Sequence, residues 1–69
     1  MSNWVKVFDA SQVIIAEIVK NMLLENNIQA VVVNKVDSAY LFGIAEVYCK
    51  SNDLIAAKQL IELENKNYE

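Results

Sequence analysis

An α+β fold in the order β-α-β-β-α is predicted by this sequence: a three-stranded sheet with two helices on one face, the split βαβ arrangement of ferredoxin-like domains. Two apolar stripes at helical spacing carry the prediction, one over residues 15–23 and one over 54–61, each preceded by a cluster of cap-forming residues. The third observation is the set of three short β-branched or aromatic runs placed before, between and again before those helices. At 69 residues the chain is one domain, 1–69, with an ordered core expected over about 3–64 and a polar C-terminal tail.

The first strand is Trp4-Val-Lys-Val-Phe8. Regular alternation puts Val5 and Val7 on one face and Trp4, Lys6 and Phe8 on the other. Asp9 to Gln12 follows as a helix start, Asp9 capping the first turn and Gln12 reaching back, with Ser11 as the alternative cap. Ile15, Ile18, Val19, Met22 and Leu23 then form the buried stripe, while Glu17, Lys20, Asn21 and Glu25 point away. Asn26-Asn27 ends the helix, because Asn tolerates the left-handed conformation better than any other non-Gly residue.

Ile28 to Val33 is too short for a helix and reads as the second strand. Residues 34–43 form a loop with Asp37-Ser38 as turn formers and Gly43 free to take a positive φ. From Ala45 to Lys50 the alternation is strict: Ala45, Val47 and Cys49 on the core face, Glu46, Tyr48 and Lys50 on the other. Ser51 to Asp53 caps the second helix, whose stripe is Leu54, Ala57, Leu60 and Ile61; from Glu62 onward the polar residues are expected to fray. A right-handed crossover between strands one and three would make that pair parallel. The expected core is Val5, Val7, Ile15, Ile18, Met22, Ile28, Val47, Ala57, Leu60 and Ile61.

Composition narrows the chemistry. The chain has no His, Arg or Pro, one Gly and one Cys. A lone Cys49 excludes an internal disulfide, and a structural zinc would need about four Cys or His ligands. Domains of this size bury only ~60% of their unfolded surface, so the 55% apolar content or burial against another chain must stabilise the fold. A net charge of −3 argues against nucleic acid and against an anionic membrane surface as partners. Met1 leads into the first strand with no basic and apolar leader, and no apolar run reaches the ~20 residues of a membrane helix. A cytoplasmic protein with a free thiol is the expectation.

Trp4-Val-Lys-Val-Phe8, Ala16-Glu17, Leu23-Leu24, Asn27-Ile28-Gln-Ala30 and Asn34 together resemble a small bacterial family of unknown function labelled "putative prokaryotic signal-transducing protein". Asp37-Ser-Ala-Tyr40, Phe42-Gly43, Glu46-Val47-Tyr48 and Ala57 with Leu60-Ile61 extend the resemblance over nearly the whole chain. It implies a PII-like, ferredoxin-like signalling fold and no catalytic residues. Family members often carry Val-Pro where this chain has Cys49-Lys50, so the exit of the third strand is expected to differ.

Catalysis has little to work with. Glu17, Glu25, Glu62 and Glu64 lie on helix faces as solvated charge rather than as paired acids. Cys49 adjoins Lys50 and a helix start, but its alternation places it in the core as a small hydrophobe. One Gly cannot build a phosphate loop. Catalytic, cofactor-binding and metal-ligating residues are therefore assigned as none.

Two surfaces remain. The sheet face bearing Trp4, Lys6, Phe8, Glu46 and Tyr48 is the expected interaction face; its aromatics have the geometry that stacks RNA bases but lack the basic frame that RNA binding needs. The loop with Asp37, Tyr40, Phe42 and Gly43 is either a recognition loop or a plug over the sheet edge, the plug being favoured. The favoured function is a non-catalytic signalling or protein-interaction module that self-associates through its sheet, as a dimer first. The alternative is a small-ligand sensor for a metabolite or nucleotide, using the aromatic face or the 37–43 loop. A protein partner or effector is expected without being identified.

Overall fold

A computed structural model describes residues 3–35 and 45–68, with side chains described as far as Glu64. The elements are β1 (Trp4–Ala10), α1 (Val13–Glu25), β2 (Ala30–Asn34), β3 (Ala45–Lys50), a 3-10 turn (Ser51–Asp53) and α2 (Leu54–Tyr68). The α+β class and the β-α-β-β-α order are as the sequence predicts.

The sheet order is β1-β3-β2, with β3 antiparallel to both neighbours. The expected parallel pairing of the first and third strands is thereby corrected. The parallel pair is β1 and β2, joined by α1 and separated by β3, which inserts between them. Both helices pack on the sheet and on each other, α1 chiefly over β2 and α2 chiefly over β1. The Cα atoms span only 15 Å in the thinnest direction, which fits one sheet and one helix layer spaced ~10 Å apart.

Register fixes which residues meet the helices. Val5 stands opposite Cys49, Phe8 opposite Val47 and Ala10 opposite Ala45; on the other side Ala30 faces Cys49 and Val32 faces Val47. Between Lys6 and Phe8 the register shifts by one residue, so Val7 is the extra residue of a β-bulge. A bulge breaks the two-residue alternation, and both Val7 and Phe8 pack against the core. The expectation that Phe8 shares a face with Trp4 and Tyr48 is overturned by that one inserted residue.

The buried core is Ala10, Ala16, Val19, Leu23, Ile28, Ala30, Ala45, Val47, Cys49, Ala57 and Ile61, with Val5, Phe8, Ile15, Met22 and Leu60 packed around it. Small residues dominate the centre, which lets the helices approach the sheet closely. Ile18, expected inside, is 38% exposed. The buried stripe of α1 is Ala16, Val19 and Leu23, and Ile18 lies beyond its margin. Ile14 on α1 and Ile55 and Leu63 on α2 are more exposed still.

The start of α1 also differs from expectation. Its N-cap is Gln12, without a side-chain cap hydrogen bond, because β1 continues through Ala10 and keeps Asp9 within the strand. The end of α1 is as expected. Asn27 has φ 66°, and its N–H donates to Leu24 O at 3.0 Å while Ile28 N–H donates to Leu23 O at 2.9 Å. This is the Schellman closure, with buried Ile28 held near buried Leu23. Ile28 is consequently part of the helix cap, and β2 starts two residues later than the alternation suggests. The second helix spans Leu54–Tyr68, and its residues past Ile61 include Glu62, Leu63, Glu64 and Lys66, all good helix formers.

Candidate functional site

The face of the sheet turned away from the helices collects Trp4, Lys6 and Asp9 from β1, Glu46, Tyr48 and Lys50 from β3, and Val31 and Val33 from β2. The pairings Trp4–Lys50, Lys6–Tyr48 and Asp9–Glu46 set one side of it, and Val31–Tyr48 and Val33–Glu46 set the other. Four of the five residues expected on an interaction face, Trp4, Lys6, Glu46 and Tyr48, are brought together here. The fifth, Phe8, belongs to the core side. The loop candidates Asp37, Tyr40, Phe42 and Gly43 lie outside the described residues.

Glu46 organises this face. It sits on the central strand with only 6% of its surface exposed, the single buried charged residue among those described. Its Oε2 accepts from Lys35 Nζ at 3.1 Å and from Lys6 Nζ at 3.4 Å, and its Oε1 accepts from the Tyr48 hydroxyl at 2.9 Å. Lys6 also pairs with Asp9 at 3.3 Å, so each lysine is held by at least one carboxylate. Two cations and one hydroxyl thus satisfy a carboxylate that flanking side chains screen from water, which is the condition for burying a charge at tolerable cost.

The titration behaviour follows. Burial alone would raise the Glu46 carboxyl, but hydrogen bonds from Tyr48, Lys35 and Lys6 outweigh it and hold the group below its ordinary 4.5. The hydrogen bond to Asp9, then that to Glu46, raise Lys6 above 10.5. Tyr48 rises above 10.0, first because its proton is committed to Glu46 and then through burial. All three shifts favour one arrangement near neutrality: carboxylate, ammonium and neutral phenol.

At the other end of the face, Lys50 Nζ lies 4.7 Å from the centre of the Trp4 ring, a cation–π contact. Lys35, Val31, Val33 and Asp9 were not among the expected face residues. For three of them the signal was present, since residues 31, 33 and 35 share the parity that alternation assigns to one face; Asp9 reaches the outer face through the bulge at Val7, which only the pairing with β3 reveals.

Cys49 is fully buried opposite Val5 and Ala30, and its thiol donates to Lys50 O at 3.3 Å. Burial, followed by the charge of Asp53, pushes the thiol above its ordinary 9.0. That is the reverse of what a nucleophile requires. Among the described residues no three His, Cys, Asp or Glu side chains converge as metal ligands, and no helix is long and apolar enough to cross a membrane. A shallow polar cleft lined by Asn3, Lys50, Ser51, Asn52 and Asp53 opens at the start of α2, where Ser51 N–H donates to Asn3 O at 2.7 Å.

A family model described as "Putative prokaryotic signal transducing protein" matches residues 4–64. The chain belongs to this family. The match spans every strand, the bulge, the outer-face network and most of α2, so the whole site just described lies within the family's own domain. The family description names signal transduction and no catalytic activity. No curated protein and no solved structure gives a significant match to the chain.

Proposed function

We propose that this chain is a non-catalytic signalling module that works by association, joining a second copy of itself through its sheet and presenting the outer face to a further partner. The observation that carries this reading is the sheet face that no element among the described residues covers. Trp4 and Tyr48 are half-buried there, and Val31 and Val33 are 39% and 37% exposed around a fully satisfied polar centre. Aromatics beside a rigid hydrogen-bonded cluster make a docking platform, since aromatic side chains are enriched where proteins meet. The family's signalling description and the high, buried thiol of Cys49 both favour binding over chemistry. A reducing, cytoplasmic setting suits a free buried thiol.

Sedimentation equilibrium of the full chain tests the reading. A mass above the 7.8 kDa monomer that rises with concentration in the micromolar range is the expected result. A monomer at all accessible concentrations overturns self-association.

One observation favours a second reading, a sensor of a small anionic ligand. Lys6 and Lys35 converge on a single carboxylate oxygen and keep donors to spare. A thermal-shift screen of nucleotides and organic acids separates the two. Ligand-dependent stabilisation that Lys35→Ala abolishes favours the sensor, and no shift across the screen favours the association module.

A further inference from the structure

The two edges of the sheet differ in a way that selects one of them for pairing. On β1, the bulge at Val7 bends the strand, and Lys6 and Asp9 place charge along it. Bulges and charges are the devices by which edge strands avoid other chains. On β2, Ala30-Val31-Val32-Val33-Asn34 pairs with β3 in unbroken register and contains no charge, no Pro and no Gly. Among the described residues β2 pairs only with β3, and an edge strand of that kind presents its other row of N–H and C=O groups for pairing.

A lysine does stand at its end, where it could guard the edge. Lys35 is instead drawn across the sheet face, its Nζ 3.1 Å from Glu46 Oε2 on the central strand. The buried carboxylate thus removes the charge that would discourage pairing. The segment is also its own complement. In an antiparallel pairing about a two-fold axis through Val32, Val31 of each copy stands opposite Val33 of the other. Ala30 then stands opposite Asn34, and Lys35 meets the uncharged Gln29. No like charges face each other in that register.

We infer that two copies of this chain pair β2 to β2 in antiparallel register about Val32, forming one continuous six-stranded sheet. This deepens the association reading above, on which it rests, by naming the surface, the register and the partner. The exposed Val31 and Val33 of both copies close into one apolar stripe between the two Tyr48–Glu46 pairs, and the outer face doubles in width. Five residues a side and four valines make a small interface, so the dimer is reversible rather than obligate.

Charge placement tests the register directly. Val31→Lys with Val33→Lys sets like charges opposite each other and is expected to leave a monomer with the wild-type circular dichroism spectrum. Val31→Glu with Val33→Lys sets the new glutamate of one copy against the new lysine of the other, keeps like charge away from Glu46, which stands opposite position 33, and is expected to stay dimeric, with a salt-sensitive dissociation constant. Because both positions are part-exposed, neither variant should unfold, and the second controls for the first. Trp4→Lys, on β1 at the opposite edge of the sheet, is expected to keep the dimer. The inference is overturned if the double-lysine variant at 31 and 33 remains dimeric, which would move the interface to Ile14, Ile55 and Leu63 on the helices. It is overturned also if the Glu/Lys variant is monomeric, which would mean a different register. A monomeric wild type is a separate result, since it removes self-association altogether.

Discussion

Tyr48 donates its hydroxyl hydrogen to Glu46 at 2.9 Å, although the two residues lie only two positions apart on the same strand. Neighbours on one face of a strand usually stand side by side, each addressing residues on adjacent strands. Here the ring leans along β3 and covers the carboxylate that Lys6 and Lys35 approach from the flanking strands. The outer face is therefore held by a polar knot, while the inner face is held by apolar burial.

The knot predicts an acid limb to the stability curve. Glu46 has a folded-state value held below 4.5, so the stabilisation is complete above 4.5 and is lost as pH falls through the lower, folded value. Thermal melts should show Tm dropping below pH 4.5, and Glu46→Gln should flatten that drop while lowering Tm near neutrality. The alkaline limb has the opposite sign. Tyr48 and Lys6 have raised values, so their contributions are present below 10.0 and 10.5 and disappear as pH rises through the folded values. An unchanged acid limb in Glu46→Gln would show that other carboxylates set it.

Two truncations on α1 should separate cleanly. Leu23 is fully buried, and Leu23→Ala should cost about 2–5 kcal/mol, enough to unfold much of a domain this small. Ile18 is 38% exposed, and Ile18→Ala should cost less than about 1.5 kcal/mol, with loss of contact but no closed cavity. Urea titrations measure both. Equal losses would mean that Ile18 is packed more deeply than its exposure indicates.

Asn27 makes the turn out of α1 at φ 66°, where a β-carbon is disfavoured. Asn27→Gly should leave stability unchanged or slightly higher, whereas Asn27→Val should lose about 1–2 kcal/mol. A stable Asn27→Val protein would show that the Schellman closure contributes little.

Cys49 should resist a bulky thiol reagent in the folded protein and react on unfolding, because it is buried and its thiol is pushed upward. Cys49→Ser should lower stability by about 1–3 kcal/mol through a hydroxyl in an apolar site, with the oligomeric state of the folded fraction unchanged. Rapid labelling under native conditions would point to a frequently opened β3.

Local signals in the sequence located β3 and the end of α1 almost to the residue. Ala45, Val47 and Cys49 alternate without interruption, and Asn27 is one of the few residue types that accepts the left-handed region. What depended on pairing between distant segments was harder to read. A bulge is defined by the partner strand, so nothing within Trp4–Phe8 announces that Val7 is the extra residue. The strand order was missed for the same reason: the crossover rule applies to two parallel strands but does not say which strand inserts between them. Asp9 reads as a helix cap because Asp before an apolar run commonly is one; its pairing with Glu46 on β3 keeps it in the sheet. Of the outer face, the aromatics were legible, whereas the convergence of Lys6 and Lys35 on Glu46 needed three strands in place.

The bulge at Val7 acts as a phase shift in a wave of period two. Upstream of it, even-numbered β1 residues face outward; downstream, the same parity faces the helices, as Phe8 and Ala10 do. Deleting Val7 alone would leave Trp4, Val5, Lys6, Phe8, Asp9 and Ala10 in regular alternation opposite Lys50 to Ala45, each on the face it now occupies. Within this family, a one-residue gap at position 7 should therefore leave the apolar and polar residues on both sides of it unexchanged. A relative that keeps the length but loses the bulge should instead exchange them on one side, and that exchange records a change of phase rather than a change of function.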